Sequence, residues 1–240
     1  MRISSVVRLH VANKFTLFGL PLIILASAFA LIIGIGVIAN IATGGQGLAD
    51  MHEGMWFNGA IFSVMGPLMG FGFTAMGQYF PLATGLGLTR REFYFGTGIV
   101  FAAVAAGFAV LVTIGRIAEI ATGGWWLQVR FFDVIWVGSP GAWWQTLVQT
   151  LLWVLAMMFV GAAFSTAYQR WGQTFVWLFF VALGALAVVV LGVVWLVPGA
   201  SVGAKQVLTM SWGAWMGVAA GVAVVGAAAW LRLVQRAQAR

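Results

Sequence analysis

Residues 173–197 read QTFVWLFFVALGALAVVVLGVVWLV and contain no Asp, Glu, Lys or Arg. An α-helix needs about 20 consecutive apolar residues to cross a hydrocarbon core of about 30 Å, so this run predicts a membrane-spanning helix. The rest of the chain is similar: 62% of the 240 residues are hydrophobic, 7% are charged, and the mean hydropathy is +1.03. A soluble domain carries roughly 25% charged residues. We therefore interpret residues 1–240 as one transmembrane domain.

Five further apolar runs of similar length predict an all-α membrane protein with six transmembrane helices. The first run follows Arg2, Arg8 and Lys14, but it is longer than a signal-peptide core of about 7–15 residues, so we expect a retained helix. Residues 2–14 show no clean apolar face on a helical wheel and are predicted as a basic stretch near the inner headgroups. The predicted spans are Phe15–Ala39, Met55–Gln78, Arg90–Gly115, Trp144–Tyr168, Gln173–Val197 and Trp212–Leu231.

The basic residues predict the orientation, because Lys and Arg concentrate in the cytoplasmic segments of membrane proteins. With six spans and a cytoplasmic N-terminus, nine of the twelve basic residues fall on the cytoplasmic side, and Arg116, Arg130 and Lys205 fall outside. An odd number of spans would move the basic tail outside. We therefore expect both termini to be cytoplasmic. The nine residues are Arg2, Arg8, Lys14, Arg90, Arg91, Arg170, Arg232, Arg236 and Arg240.

Small residues predict where the helices touch, since close approach of helices favours their association in lipid. In the last span, Gly213, Gly217 and Gly221 recur every four residues, and Ala102 and Ala106 do the same in the third span. We expect these faces to pack within the chain. The alternative for the glycine face is a contact between two copies.

Several chemistries are excluded by the residue content. The chain has no Cys, and His10 and His52 are too few and too far apart to predict a metal site. Asp50, His52 and Glu53 are interpreted as part of a flexible, solvated outer loop. No Walker A motif occurs, and the basic residues are too scattered to predict nucleic-acid binding. We expect no catalytic residue, metal or cofactor in this chain. If the protein moves a solute uphill, a partner subunit must supply the energy, because this chain has no motif for binding nucleotide.

The longest predicted outer segment follows the third span and is rich in aromatic residues. Two ion pairs on helical turns are predicted in it: Arg116 with Glu119, and Arg130 with Asp133. Residues 125–137 are predicted to lie along the outer membrane surface as a structural cap; the alternative is a substrate gate.

Polar side chains near the outer end of the fourth span form a predicted patch of Gln145, Thr146, Gln149 and Thr150. Such groups usually hydrogen-bond to neighbouring helices. The alternative is a translocation path, for which Gln145, Gln149 and Thr150 are the candidate residues.

The most informative motif is FPLATGLGLTRREFYFGT, residues 80–97, which lies on the predicted cytoplasmic side between the second and third spans. Thr89 and Glu92 fit the S/T-x-x-E capping box that begins a helix. Before this box, Leu82 and Leu86 belong to an apolar stretch that is unfavourable in water, so lipid headgroups or another protein must cover it.

In this motif above all, and in its six spans with a basic N-terminus and a basic tail, the chain resembles the ABC-2 type permeases, the membrane subunits of bacterial ABC exporters. The resemblance implies a plasma-membrane complex of two permease subunits and two ATP-binding cassette subunits, which hold ATP and Mg²⁺. It implies export of a hydrophobic or amphipathic substrate. Better-known relatives have their elaborated outer segment between the last two helices, whereas here it follows the third. The implied coupling residues, within the segment 80–92, are Leu82, Leu86, Thr89, Arg90, Arg91 and Glu92.

Two other functions fit the same spans. The substrate-binding membrane component of an ATP-driven vitamin importer would retain its ligand through purification. A membrane assembly factor without a transport role would co-purify with partners that include no ATPase.

Overall fold

A computed structural model describes residues 2–45, 48–138, 142–197, 199, 202–203, 206 and 211–236. Within these ranges the regular structure is entirely helical. Six helices are long and apolar enough to cross a membrane, which confirms the prediction of an all-α membrane protein with six spans. They are span 1 to span 6 in chain order: Phe15–Thr43, Ala60–Gly85, Arg90–Ala121, Trp143–Trp171, Gln173–Leu196 and Trp212–Gln235. Lys205 and Arg240, which entered the orientation argument, lie outside the described residues.

Shorter helical elements make up span 2, precede span 1 or connect the spans. The helix of span 6 continues by one residue, as Trp212–Arg236. Span 2 is built from a 3₁₀ turn, an α-helix, a π-helical turn and a last α-helical turn, which are Ala60–Val64, Met65–Thr74, Ala75–Tyr79 and Phe80–Gly85. The remaining helical elements are Arg2–Val11, Leu48–Gly54, Met55–Phe57 and Ile135–Val137, whereas Gly124–Gln128 is a tight turn with positive φ at Trp125 and Trp126.

Span 2 begins and ends later than predicted. The chain is extended at Asn58, with a ψ of 130°, and the Asn58 side chain accepts a hydrogen bond from the Ala60 amide at 2.8 Å. This interruption separates the preceding turn from the span. At the other end, Pro81 lies in the first turn of a new α-helical segment, where its missing N–H is not needed. The span therefore continues to Gly85.

Span 3 runs beyond the predicted end at Gly115 as far as Ala121. Its last turns carry Arg116 and Glu119, whose charge predicted a place in the outer segment. Both side chains are only 2% exposed, since they are covered by the segment that follows. Gly123, with a φ of +61°, then turns the chain away from the helix axis.

Span 4 lies at the centre of the bundle, where it packs against spans 2, 3 and 6. Its closest approach to span 2 is made by glycines. A Cβ atom on Gly161 would overlap the Met69 carbonyl oxygen, and one on Gly72 would lie 2.7 Å from the Ala162 nitrogen. The two backbones are therefore in direct contact, which requires glycine on both sides.

The predicted small-residue faces are wrong for packing within the chain. A Cβ atom added to Gly213, Gly217 or Gly221 would meet nothing within 4 Å among the described residues, and Ala102 and Ala106 are exposed. Small residues occur on more than one side of these helices, so spacing alone did not select the buried side. Large aromatic rings determine which side is buried, because Trp230 of span 6 points inward and packs against Tyr94, Phe101 and Phe159. The buried small residues are Ala219, Ala223 and Gly226 in span 6 and Gly96, Ala105 and Ala109 in span 3.

Spans 1 and 5 lie at the periphery. Span 5 has no buried residue, and an apolar groove of about 1060 Å³, the lateral groove, separates it from spans 4 and 6. Its lining includes Phe164, Phe175, Phe179 and Val222. In a bilayer such a surface faces acyl chains, which are as apolar as the side chains themselves.

The N-terminal segment, predicted as a basic stretch without a clean apolar face, forms a helix over Arg2–Val11. Val6 and His10 are fully buried, and a Cβ atom on Gly96 of span 3 would lie 2.6 Å from the Val6 Cβ. A helix that lies on lipid needs a wide apolar face. Two residues spaced four apart were enough to dock the helix on protein.

Candidate functional site

The two ends of the bundle differ in the contacts they hold. At the termini end, Arg90 Nη1 at the start of span 3 donates to the Gln235 carbonyl oxygen at the end of span 6, at 2.7 Å. At the opposite end, called the lid end after residues 125–137, Trp136 stacks edge-on against Trp215 of span 6 with ring centroids 5.6 Å apart. The predicted coupling residues lie at the termini end, and the predicted path residues lie toward the lid end.

The coupling segment is more compact than the loop predicted from sequence. Span 2 carries it as helix to Gly85, and a tight turn follows in which the Leu88 amide donates to the Ala83 carbonyl at 3.0 Å. Gly87 takes a φ of +76°, as expected for a glycine that closes a helix C-terminus. Leu82 is 50% exposed and Leu86 69% exposed. The turn therefore presents two apolar side chains on a short, internally bonded support.

The capping box predicted at the start of span 3 is confirmed. The Glu92 amide donates to Thr89 Oγ1 at 3.2 Å, and the Thr89 amide donates to Glu92 Oε2 at 2.8 Å. Such a cap contributes about 1 kcal/mol to helix stability. Two of the six implied coupling residues thus stabilise the fold of the segment.

The two arginines of the segment have different surroundings. Arg90 bonds the last turn of span 6, where a cation also complements the negative end of the helix dipole. The Arg91 guanidinium lies 5.7 Å from the centroid of the Phe95 ring on its own helix. Arg90 therefore ties the segment to span 6, and Arg91 is placed on the outside with Leu82 and Leu86.

A buried histidine packs beside the coupling segment, and we did not predict its burial from the sequence. His10 Nε2 hydrogen-bonds with Thr97 Oγ1 at 2.8 Å, and the ring packs on Tyr79 at 4.6 Å and on Phe71 at 5.7 Å between centroids. Burial lowers the pKa of His10 to about 4. The signal in the sequence was the four-residue spacing of Val6 and His10, which places both on one face of a helix.

This histidine makes the fold sensitive to mild acid. The folded-state pKa of about 4 lies below the unfolded value of 6.5, so the unfolded chain binds the proton more strongly. The stabilisation is complete above pH 6.5 and is lost as the pH falls from 6.5 toward 4. We expect a loss of about 2 kcal/mol between pH 7.5 and pH 5. Thermal unfolding of the wild type and of His10→Gln, which lacks this titration, should show the difference; equal pH dependence of the two would contradict it.

At the lid end, Asp133 bridges two arginines. Arg116 Nε and Nη2 donate to Asp133 Oδ1 at 2.9 and 2.8 Å, and Arg130 Nη1 donates to Asp133 Oδ2 at 2.8 Å. Arg116 also donates to Thr146 Oγ1 and, at 3.0 Å, to the Gly138 carbonyl oxygen. The predicted pair of Arg130 and Asp133 is confirmed, although on irregular chain and not on a helical turn. The salt bridge that Arg116 makes among the described residues is to Asp133.

Glu119, the predicted partner of Arg116, instead organises the chain that follows. Its carboxylate accepts hydrogen bonds from the backbone amides of residues 131–133 at 2.8–3.0 Å. It also accepts one from Trp125 Nε1 at 2.8 Å. The prediction was wrong because a buried carboxylate is stabilised best by several donors, and the turning chain supplies them.

Residues 125–137, hereafter the lid, were predicted to form a structural cap along the outer membrane surface, and they fold into one end of the bundle. Val129 and Phe131 are fully buried. A Cβ atom on Gly36 of span 1 would overlap the Val129 side chain, and Phe131 packs on Phe29 at 5.3 Å between centroids. The lid therefore closes this end of the bundle with side chains from within.

The loop predicted as flexible is a short helix, Leu48–Gly54, tied to the lid. His52 Nδ1 donates to the Gln128 carbonyl oxygen at 2.8 Å, and Arg130 Nε donates to the His52 carbonyl oxygen at 3.1 Å. The side chain of Asp50 lies outside the described residues. Across the described ranges, no three His, Cys, Asp or Glu side chains come together as a metal site requires.

The predicted polar patch of span 4 divides into two parts. Thr146 bonds Arg116 of span 3, as expected for a contact between helices. Gln149 is 1% exposed, yet neither atom of its amide has a hydrogen-bonding partner among the described residues. Thr150 beside it is also buried, and Gln145 is partly buried.

Two features of the described residues are thus candidates for function. One is the exposed apolar turn at the termini end, and the other is the buried amide of Gln149. Comparisons of the chain with protein-family models, with curated proteins and with solved structures found no match.

Proposed function

We propose that this chain is the transmembrane subunit of an ATP-driven exporter of the ABC-2 type, which moves a hydrophobic or amphipathic substrate across the bacterial plasma membrane. The proposal rests on one observation above all. Leu82 and Leu86 are exposed at the termini end, on a turn that is bonded to itself and anchored in the bundle. An apolar patch held rigidly at a bundle end is suited to docking a partner protein.

The anchoring gives the turn a mechanical role in this proposal. Phe80 and Ala83 next to the exposed leucines are fully buried, and Phe80 packs on Phe93 of span 3 at 5.2 Å between centroids. Arg90 adds the bond to span 6. A force applied at Leu86 by a partner subunit would thus reach spans 2, 3 and 6 together.

The proposal assigns the energy source to separate subunits. Two ATP-binding cassette subunits would hold ATP and Mg²⁺, and their closure would move the coupling turns of two permease subunits. The termini end would face the cytoplasm, consistent with the basic residues Arg8, Lys14, Arg91 and Arg170 at that end. The chain itself would perform no hydrolysis.

The test is ATP hydrolysis by the complex isolated through a tag on this chain. We expect an ATP-binding subunit to co-purify, and substrate-stimulated hydrolysis to be lost in Arg90→Glu/Arg91→Glu. Because Arg90→Glu also breaks the bond to Gln235, a second variant, Leu86→Asp/Arg91→Glu, changes only the exposed side chains. It should lose stimulation while its melting temperature stays within about 2 °C of the wild type.

Arg170→Glu is the matched control, since it reverses an exposed charge at the same end of the bundle on a different turn. It should retain stimulated hydrolysis. Unchanged stimulation in Leu86→Asp/Arg91→Glu would contradict the coupling role. Purification without any ATPase would favour an assembly factor, and a small ligand retained through purification would favour the vitamin-importer component.

A further inference from the structure

Gln149 is a neutral polar side chain enclosed by apolar ones. Both atoms of its amide are buried and lack partners among the described residues. A buried amide without a hydrogen bond is unfavourable, and replacing it by an apolar side chain of similar shape is often neutral or stabilising. A glutamine at this position therefore points to a hydrogen-bonding partner outside the described chain.

The Gln149 side chain is one wall of a small cavity of about 20 Å³. It is large enough for one water-sized group. Gln149 and Thr150 of span 4 line it on one side, and Phe62 of span 2 and Phe108 of span 3 line it on others. The described residues that line it are all uncharged.

A larger opening of about 510 Å³, the aromatic cleft, lies next to this cavity. Its volume is in the range of small-molecule sites, roughly 300–1,000 Å³. The cleft and the cavity share four lining residues, which therefore form the wall between them. The cleft is lined by Phe57, Gly59, Phe62, Met65, Trp136, Trp153, Met157 and Trp215.

The wall has side chains that can move without breaking the bundle. Met65 is flexible by nature, and Trp136 belongs to the lid and not to a span. In the binding site inferred below, a rotamer change in Met65 or Trp136 joins the cavity to the cleft. The combined site is then apolar over most of its surface, with the Gln149 side chain at its inner end.

We infer that the aromatic cleft and the cavity behind it form one binding site for an apolar molecule with a single uncharged polar group, an amide, carbonyl or hydroxyl, that pairs with Gln149. Because the described lining residues of both openings are uncharged, an ionic headgroup would be desolvated there without compensation and is disfavoured. The inference builds on the proposed function, since this molecule would be the exporter's cargo. Binding itself requires neither nucleotide nor a partner subunit.

The test is photo-crosslinking of the full chain in lipid nanodiscs with two probes. One is decanamide with a diazirine in its alkyl chain, and the other is the matching decane without the amide. We expect the amide probe to label the cleft at Phe62, Trp153 or Trp215, mapped by mass spectrometry, and to exceed the decane probe there. Loss of one hydrogen bond in Gln149→Leu should reduce this labelling roughly 2- to 12-fold.

Two further measurements keep a structural role apart from a binding role. Gln149→Leu should melt at or above the wild-type temperature, since no bond within the described chain is lost. Gln169→Leu makes the same change at the other end of span 4, where the amide donates to the Met76 carbonyl at 2.8 Å, and should keep full labelling.

The inference is overturned by equal labelling with both probes, by undiminished labelling of Gln149→Leu, or by labelling confined to Phe164, Phe175 and Phe179 of the lateral groove. Its failure would leave the exporter proposal standing, because that proposal is tested by ATP hydrolysis at the opposite end. Conversely, purification without an ATPase would leave the binding site standing and remove only its role in export.

Discussion

Replacing Glu119 with leucine is expected to destabilise the protein by several kcal/mol. The Glu119 side chain is 2% exposed and accepts hydrogen bonds from the backbone amides of residues 131–133 and from the Trp125 indole. Leucine accepts none, so these donors would be left buried without partners. Each unsatisfied donor costs about 1–3 kcal/mol, although the lid can relax to recover part of this free energy. We expect a fall in melting temperature of roughly 5–10 °C.

The loss should be concentrated in the chain around the lid. Trp125 and Trp126 both have a φ of 59°, a conformation that costs non-glycine residues about 1–2 kcal/mol. Glu119 holds Trp125 in this conformation through its indole N–H. Once it is removed, residues 122–128 should become sensitive to protease, and tryptophan emission should shift to longer wavelength.

Glu53→Leu is the matched control for this prediction. Glu53 and Glu119 both line a polar pocket at the lid end, but the Glu53 side chain is exposed. The same substitution there should change the stability by no more than about 0.5 kcal/mol. If Glu119→Leu and Glu53→Leu had the same melting temperature, the Glu119 carboxylate would not be organising the lid.

The spans could be predicted because lipid imposes one simple requirement on them. A helix that crosses a bilayer satisfies its own backbone groups, so a long apolar run is sufficient evidence. The start of span 3 could be predicted from an equally local signal, since Thr89 and Glu92 are three residues apart and hydrogen-bond to each other. Features of this kind are contained in a few consecutive residues.

The contacts that connect distant parts of the chain could not be predicted in the same way. Arg116 was assigned to Glu119 by spacing, yet it binds Asp133, which the lid returns to it. Arg90 bonds Gln235, at the far end of the sequence. The spacing of residues in the sequence predicts only pairs within one helix. Which pairs form also depends on residues that the fold brings close, because a buried charge is stable only where a partner can reach it.

The two candidate sites also differ in how much of each could be predicted from the local sequence. The segment proposed for coupling was selected by its apolar residues beside the capping box, and the structure adds that Leu82 and Leu86 are exposed. Gln149 was singled out with its neighbours as a polar group in an apolar helix. Its lack of a partner among the described residues is a property of the surrounding helices, and no spacing in the sequence indicates it.

The contact between spans 2 and 4 leads to the last prediction, in which a single methyl group on Gly161 destabilises the protein by about 3 kcal/mol or more. In Gly161→Ala the new Cβ would overlap the Met69 carbonyl oxygen, which is backbone and cannot rotate away. The opposite side is equally close, since Gly72 faces the backbone of span 4. The two spans must therefore separate, which also enlarges the cavity beside Gln149.

Helix propensity acts in the opposite direction, and this makes the control informative. Alanine stabilises a helix interior relative to glycine by up to about 1 kcal/mol. Gly217 is also inside a helix, but a Cβ atom there would meet none of the described residues within 4 Å. Gly217→Ala should therefore melt at or above the wild-type temperature, while Gly161→Ala melts well below it. Equal melting temperatures for the two variants would show that spans 2 and 4 are not in backbone contact, and the arrangement of the cavity around Gln149 would have to be abandoned with it.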